Sequence, residues 1–126
     1  MHKNNSFPSS LRNAFNGLIS LVRHEKNARY HLAATFLVIL LASFLHLSIV
    51  DWALLLGVIF LVWIAELFNT TLEYLYDFVK PDFDPIVKMG KDMSAAAVLL
   101  TAALSVIVGL LILGPALLRV LDLIPG

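Results

Sequence analysis

Apolar residues run along this chain in three long blocks, each close to the roughly 20 residues a helix needs to cross a hydrocarbon core. Leu32 to Val50 has no formal charge and is interrupted only by His46. Trp52 to Tyr76 is longer and carries Glu66 and Glu73. Met93 to Leu118 is the longest and carries no charge. None of the blocks alternates with period two, and three spans are far too few strands for a closed barrel. The pattern therefore predicts transmembrane helices over 32–50, 52–76 and 93–118. Ahead of them, Leu11, Phe15, Leu18 and Val22 fall within about 60° of one another on a helix, with Arg12, Asn13, Asn16, Ser20 and Arg23 opposite. This predicts an amphipathic surface helix over 9–25, capped by Ser9 or Ser10 and lying in the membrane interface.

Cations set the expected topology. Lys3, Arg12, Arg23, Lys26 and Arg29 precede the first span, and Lys80, Lys88 and Lys91 lie in the segment 77–92. The turn at Ser48–Asp51 has none, and Arg119 follows the third span. The positive-inside rule then puts the N-terminus and the 77–92 loop in the cytoplasm, with Arg119 against the trend. The short turn makes the first two spans an antiparallel hairpin, anchored at the interface by Trp52. Pro81 and Pro85 interrupt any helix in the 77–92 loop, and Gly90 closes it.

Composition agrees with a membrane class. Of 126 residues, 60% are hydrophobic and 14% charged, and mean hydropathy is +0.86. So small a soluble domain needs more polar surface than that. The absence of cysteine excludes disulfides, thiolate metal sites and a Cys nucleophile. Net charge is zero, so nucleic acid is not an expected partner. No short basic start followed by an apolar stretch and a cleavage site marks a secretory signal. The expectation is one all-α integral membrane domain over 1–126.

The second span carries the candidate chemistry. Glu66, Asn69, Glu73 and Asp77 lie within about 80° on one helix face. A carboxylate at membrane depth costs roughly 2.5–3.5 kcal/mol and faces protein or water. Such a stripe offers hard oxygen ligands for Mg²⁺ and a group free for proton transfer. A proton or cation pathway, or a non-catalytic membrane subunit, are the competing readings. A path would need polar groups through the whole bilayer, and the outer halves of the spans offer little beyond Ser43, Thr101 and Ser105. Glu73 and Asp77 have the alternative reading of marking the solvated end of the helix, Glu25 that of a headgroup-level charge cluster, Asp92 that of an N-cap and Lys91 that of a snorkelling anchor. The glycines form neither GxGxxG nor a Walker loop, and the histidines are too scattered for a His metal cluster. Ala97, Thr101, Ser105 and Gly109 form a small-residue stripe that suits close helix approach. Three helices of one chain are expected to shield Glu66 poorly, so neighbouring chains are expected to complete its burial.

Glu66-Leu67-Phe68-Asn69-Thr70-Thr71-Leu72-Glu73, then Asp77, then Lys91-Asp92 at the matching distance beyond Glu73, resembles the prokaryotic diacylglycerol kinase family, which includes undecaprenol kinases. Gly17, His24-Glu25-Lys26-Asn27, the surface helix and the three spans match as well. Phe68 stands where an aliphatic residue is usual and Thr71 where a small one is. The resemblance implies a homotrimer with active sites between subunits, in a prokaryotic cell (inner) membrane. It implies Mg²⁺ and ATP as phosphoryl donor, and a membrane-lipid hydroxyl as acceptor. By position it implies Glu66 as catalytic base and Asn69 at the reaction centre. Glu25 and Glu73 become the metal ligands, and Asp77, Lys91 and Asp92 nucleotide contacts. Asn13, Asp82, Phe83 and Asp84 align with weaker nucleotide positions. His31, six positions after Glu25, leans toward the undecaprenol branch, with diacylglycerol close behind.

Overall fold

The computed structural model describes residues 6–125, so Lys3 lies outside the described residues. Four helices follow one another: α1 Phe7–His24, α2 Lys26–Phe44, α3 Ile49–Val79 and α4 Pro85–Val120. The last three are long and apolar enough to cross a membrane.

The helix ends differ from the hydropathy reading at every junction, for local reasons. Hydropathy marks only what sits in hydrocarbon, whereas the backbone ladder continues until something breaks it. Between α1 and α2 only Glu25 leaves the helical region, with φ −103° and ψ 122°, so Glu25 is an elbow rather than the last residue of a surface helix. The first span starts at Lys26 and stops at Phe44, not Val50. His46 takes a left-handed φ of 49°, which ends the helix. Ser48 then caps α3 through a capping box with Asp51: Asp51 N–H donates to Ser48 Oγ at 3.1 Å, and Ser48 N–H to Asp51 Oδ2 at 3.4 Å. Ile49 and Val50 thus belong to α3.

The 77–92 loop contracts to Lys80–Asp84. Asp84, not Asp92, is the N-cap of α4, accepting from Ile86 N–H at 2.8 Å and Val87 N–H at 3.3 Å. Pro85 is tolerated at the first helical position, where its missing N–H costs nothing. Gly90 does not close a loop. It lies inside α4, where a Cβ would overlap the Tyr76 phenol, so the absent side chain makes room for the α3 ring to pack on the α4 backbone. At the N-terminus, Ser6 rather than Ser9 or Ser10 is the cap residue of α1, without a side-chain capping bond.

Each span turns one stripe inward at three- and four-residue spacing. On α2 it is Ala28, His31, Thr35, Val38 and Ala42, continued by the cap residue Leu45. On α3 it is Leu55, Val58, Val62, Glu66, Asn69 and Glu73. On α4 the stripe runs from Ser94 through Thr101 and Ser105 to Ile112 and Ala116. The apolar core centres on Ala42, Leu55 and Ile112, near the α2–α3 turn. The α3 stripe changes from aliphatic to polar at Glu66, so the core and the polar end occupy opposite ends of one seam. Outward faces stay apolar, with Phe36, Phe60, Leu99 and Leu110 exposed. On α1 the Leu11–Phe15–Leu18 stripe is also exposed, and the residue it buries is Leu21.

Candidate functional site

Glu66 is the deepest acidic group of the polar end, 2% exposed. The described part of one chain therefore already covers it, contrary to the expectation that neighbouring chains must complete its burial. The reason is that α2 lies across this part of α3 as a third helix. Glu66 Oε2 is buried without a hydrogen-bond partner, and Thr70 Oγ1 beside it is likewise unpartnered. His31 Nε2 of α2 stands 3.7 Å from that carboxylate oxygen.

One turn along α3, Asn69 is held on both sides. Its Nδ2 donates to Glu73 Oε1 at 3.2 Å. Its Oδ1 accepts from Ser94 Oγ of α4 at 2.8 Å, for whose single proton the Lys91 carbonyl competes at 2.9 Å. Farther along, Lys91 of α4 donates to Asp77 of α3 in a cross-helix ion pair. The Glu25 elbow is tied to α3 by Tyr74, whose hydroxyl donates to Glu25 Oε1 at 2.8 Å. Among the described residues, then, Asn69, Asp77 and Lys91 meet across α3 and α4 with Glu73 bonded to Asn69. Glu66 faces α2 one turn before Asn69, and Glu25 reaches α3 from the elbow.

The remaining predicted positions are not in this network. Asp92 pairs with Lys88 at 2.5 Å, on α4 itself. Asp84 is occupied as a cap and stands 3.9 Å from Lys80. Asp82 and Phe83 are exposed in the short loop, and Asn13 is exposed on α1.

Glu25 and Glu73 each have one oxygen engaged by a neutral donor, and their second oxygens accept no hydrogen bond among the described residues. No cluster of three or more Asp, Glu or His groups suited to a metal ion occurs among those residues. Two carboxylates fit Mg²⁺, which is bound through one or two carboxylates with substrate phosphates and waters completing its shell.

Beside the polar end, an open apolar groove of about 810 Å³ runs between α1, α2 and α3, lined by Leu18, Ile19, Val22, Leu32, Phe60 and Ile64 among others. Thr35 and Trp63 form part of its wall, and Trp63 Nε1 donates to Thr35 Oγ1 at 3.1 Å. A polar carboxylate seam next to an apolar groove is an arrangement for a reactant with a polar head and a hydrocarbon body.

Comparison with known proteins matches residues 12–113 to the family described as prokaryotic diacylglycerol kinase. The chain belongs to that family. It is 35% identical over 118 residues to the undecaprenol kinase of Bacillus subtilis (strain 168), spanning 92% of this chain and 96% of the relative. It is 39% identical over 113 residues to a diacylglycerol kinase of Synechocystis, spanning 89% of this chain and 65% of the relative. With the diacylglycerol kinase of Escherichia coli (strain K12) it shares 28% over 94 residues, spanning 75% of this chain and 77% of the relative. Membership makes this kinase-family chain a membrane lipid kinase, a phosphotransferase with an alcohol acceptor.

In this lipid kinase, the site residues that sequence reasoning missed are partners of those it named. Tyr74, Ser94 and Thr70 reach the stripe from positions whose own residue type carries no signal, and His31, named in the sequence only for its spacing from Glu25, joins them as the neighbour of Glu66. Only the three- and four-residue phase of His31 with Ala28 and Thr35 was available to mark it as inward-facing.

Proposed function

We propose that the protein transfers the γ-phosphoryl group of ATP, with Mg²⁺, to the hydroxyl of a membrane lipid alcohol, undecaprenol first and diacylglycerol second. The observation that carries the reading is the seam itself: a buried carboxylate, an oriented amide and two half-satisfied carboxylates in a row, opening beside an apolar groove. The likeness to an undecaprenol kinase over nearly the full length of both chains supports the choice of acceptor.

Phosphoryl transfer is mostly positioning and charge neutralisation, with a group to take the nucleophile's proton. Glu25 and Glu73 hold Mg²⁺, which when bound neutralises phosphate charge. Glu66 accepts the proton of the lipid hydroxyl. It sits two helical turns, about 10 Å, from Glu73 along α3, which leaves room for the transferring group between them. Asn69, fixed by Glu73 and Ser94, presents its amide to the reaction centre. Asp77, Lys91 and Asp92 contact the nucleotide, with Asn13, Asp82, Phe83 and Asp84 at its periphery. The N-terminus and the Lys80–Asp84 loop face the cytoplasm, following the cations, and α1 lies in the interface with Leu11, Phe15 and Leu18 toward acyl chains. Copies associate as a trimer through the exposed apolar faces of the spans.

The deciding experiment offers undecaprenol and a diacylglycerol separately to the purified protein in detergent with Mg-ATP. Phosphorylated undecaprenol forming faster is the expected result. Failure to phosphorylate either lipid would overturn the reading.

A further inference from the structure

The inner stripe of α2 places a histidine where a spanning helix otherwise turns aliphatic or small side chains. The other histidines among the described residues, His24 and His46, are exposed, whereas His31 is half-buried. Burying an imidazole is costly unless it has a polar partner. Its Nε2 faces Glu66 Oε2 at 3.7 Å, and that oxygen has no other partner. The separation exceeds a direct hydrogen bond, and a side-chain shift of under about 1 Å would bring the two into one.

The next rung of the same seam is the Trp63–Thr35 bond. Thr35 follows His31 by four positions and Trp63 precedes Glu66 by three, so this bond fixes the rotation of both helices and aims imidazole at carboxylate. The other charged groups acting on Glu66 are Glu25, from the elbow, and Glu73, on α3 itself. From α4, Ser105 and Gly109 meet this seam and carry no charge. The side chain of His31 is 23% exposed and that of Glu66 only 3%, so the imidazole is the more accessible of the two facing groups.

The geometry points to His31 as the proton relay of this site: a positioning residue that takes the proton from Glu66 after transfer and returns the base to its ionised form. The inference rests on the reading of Glu66 as the base. In the step, the lipid O–H bond breaks and its proton moves to Glu66. The lipid oxygen bonds to the γ-phosphorus as the bond to ADP breaks, with that electron pair leaving on ADP. The proton then passes to Nε2 of neutral His31 and on to water. The sum is lipid alcohol plus ATP giving lipid phosphate, ADP and one proton.

A relay must be neutral to accept a proton, so removing it should alter the pH dependence of kcat as well as its size. The test uses the full-length protein in mild detergent with Mg-ATP and undecaprenol, comparing wild type, His31→Gln, His31→Ala and Glu66→Gln. His31→Gln should lower kcat about tenfold or more, with ATP affinity and the lipid KM unchanged, and should change the shape of the kcat–pH profile. Added imidazole should raise the turnover of His31→Ala several-fold and leave Glu66→Gln unchanged. Full kcat in His31→Gln beside an inactive Glu66→Gln would overturn this inference alone. So would a loss that keeps the wild-type pH profile and is not rescued by imidazole, since that marks a packing residue. Normal turnover in Glu66→Gln would overturn the base assignment and the relay with it.

Discussion

At the scale of single residues, the proposed function separates the site into groups that would act on the lipid and groups that would act on the nucleotide. Glu66 is buried against His31 of α2, about three helical turns along α3 from Asp77 and its Lys91 partner. Glu66→Gln keeps size and loses basicity, so kcat should fall by roughly 10²–10⁴-fold while Mg-ATP affinity holds. Turnover and nucleotide affinity measured on one sample check this, and joint loss of both would make Glu66 a structural residue. Glu25→Gln and Glu73→Gln should instead raise the Mg²⁺ concentration needed for half-maximal activity, with partial recovery at high Mg²⁺. An unchanged Mg²⁺ dependence in both variants would put the metal elsewhere. Gly90→Ala gains up to about 1 kcal/mol of helix propensity, but its methyl overlaps the Tyr76 phenol, and overpacking costs about 1–3 kcal/mol. Because the Lys91–Asp77 pair is the next residue along, the variant should melt lower and bind ATP more weakly. Gly90→Ala with Tyr76→Ala should recover nucleotide affinity, and no recovery would exclude the steric cause.

At the scale of elements, helix ends decide what faces what. The Glu25 elbow ends α1 and places its carboxylate at the N-terminus of α2, where a negative charge is favoured by the helix dipole. The capping box of Ser48 and Asp51 starts α3 and so sets the phase of its inward stripe. Ser48→Ala should cost about 1 kcal/mol of stability. Ser48 stands five helical turns from Glu66, roughly 27 Å along the helix, so turnover per folded molecule should be unchanged. Thermal unfolding in detergent alongside kcat tests both halves. A fall in kcat at constant folded fraction would mean that the cap also governs the site.

For the whole molecule, the outward surface matters most. Phe36, Phe60, Leu99 and Leu110 are exposed on the single chain, and in a bilayer such faces meet lipid or another copy. Since one chain already buries Glu66, oligomerisation is not needed to cover the base. Its role in the proposed trimer is to bring Glu25, Asp77, Lys91 and the short loop of different copies together around a nucleotide that one exposed edge cannot enclose. Crosslinking or native mass spectrometry in mild detergent should show trimers, with activity following the trimer fraction. A fully active monomer would reject this.

What the sequence determined by itself is what depends on local periodicity. Three apolar blocks set three spanning helices, and the three- and four-residue spacing of Glu66, Asn69 and Glu73 put them on one face before any neighbour was known. Helix ends were less legible, because hydropathy stops where the membrane stops, whereas caps such as Asp84 and a left-handed residue such as His46 end the hydrogen-bond ladder. The tertiary structure alone decided which stripes meet. It laid α2 over α3, and so buried Glu66 within a single chain, set His31 against it, and brought Tyr74 to Glu25 and Ser94 to Asn69. Those contacts join residues 25 to 49 positions apart, and their pairing is fixed by the rotation and packing of helices, which no window along the chain contains.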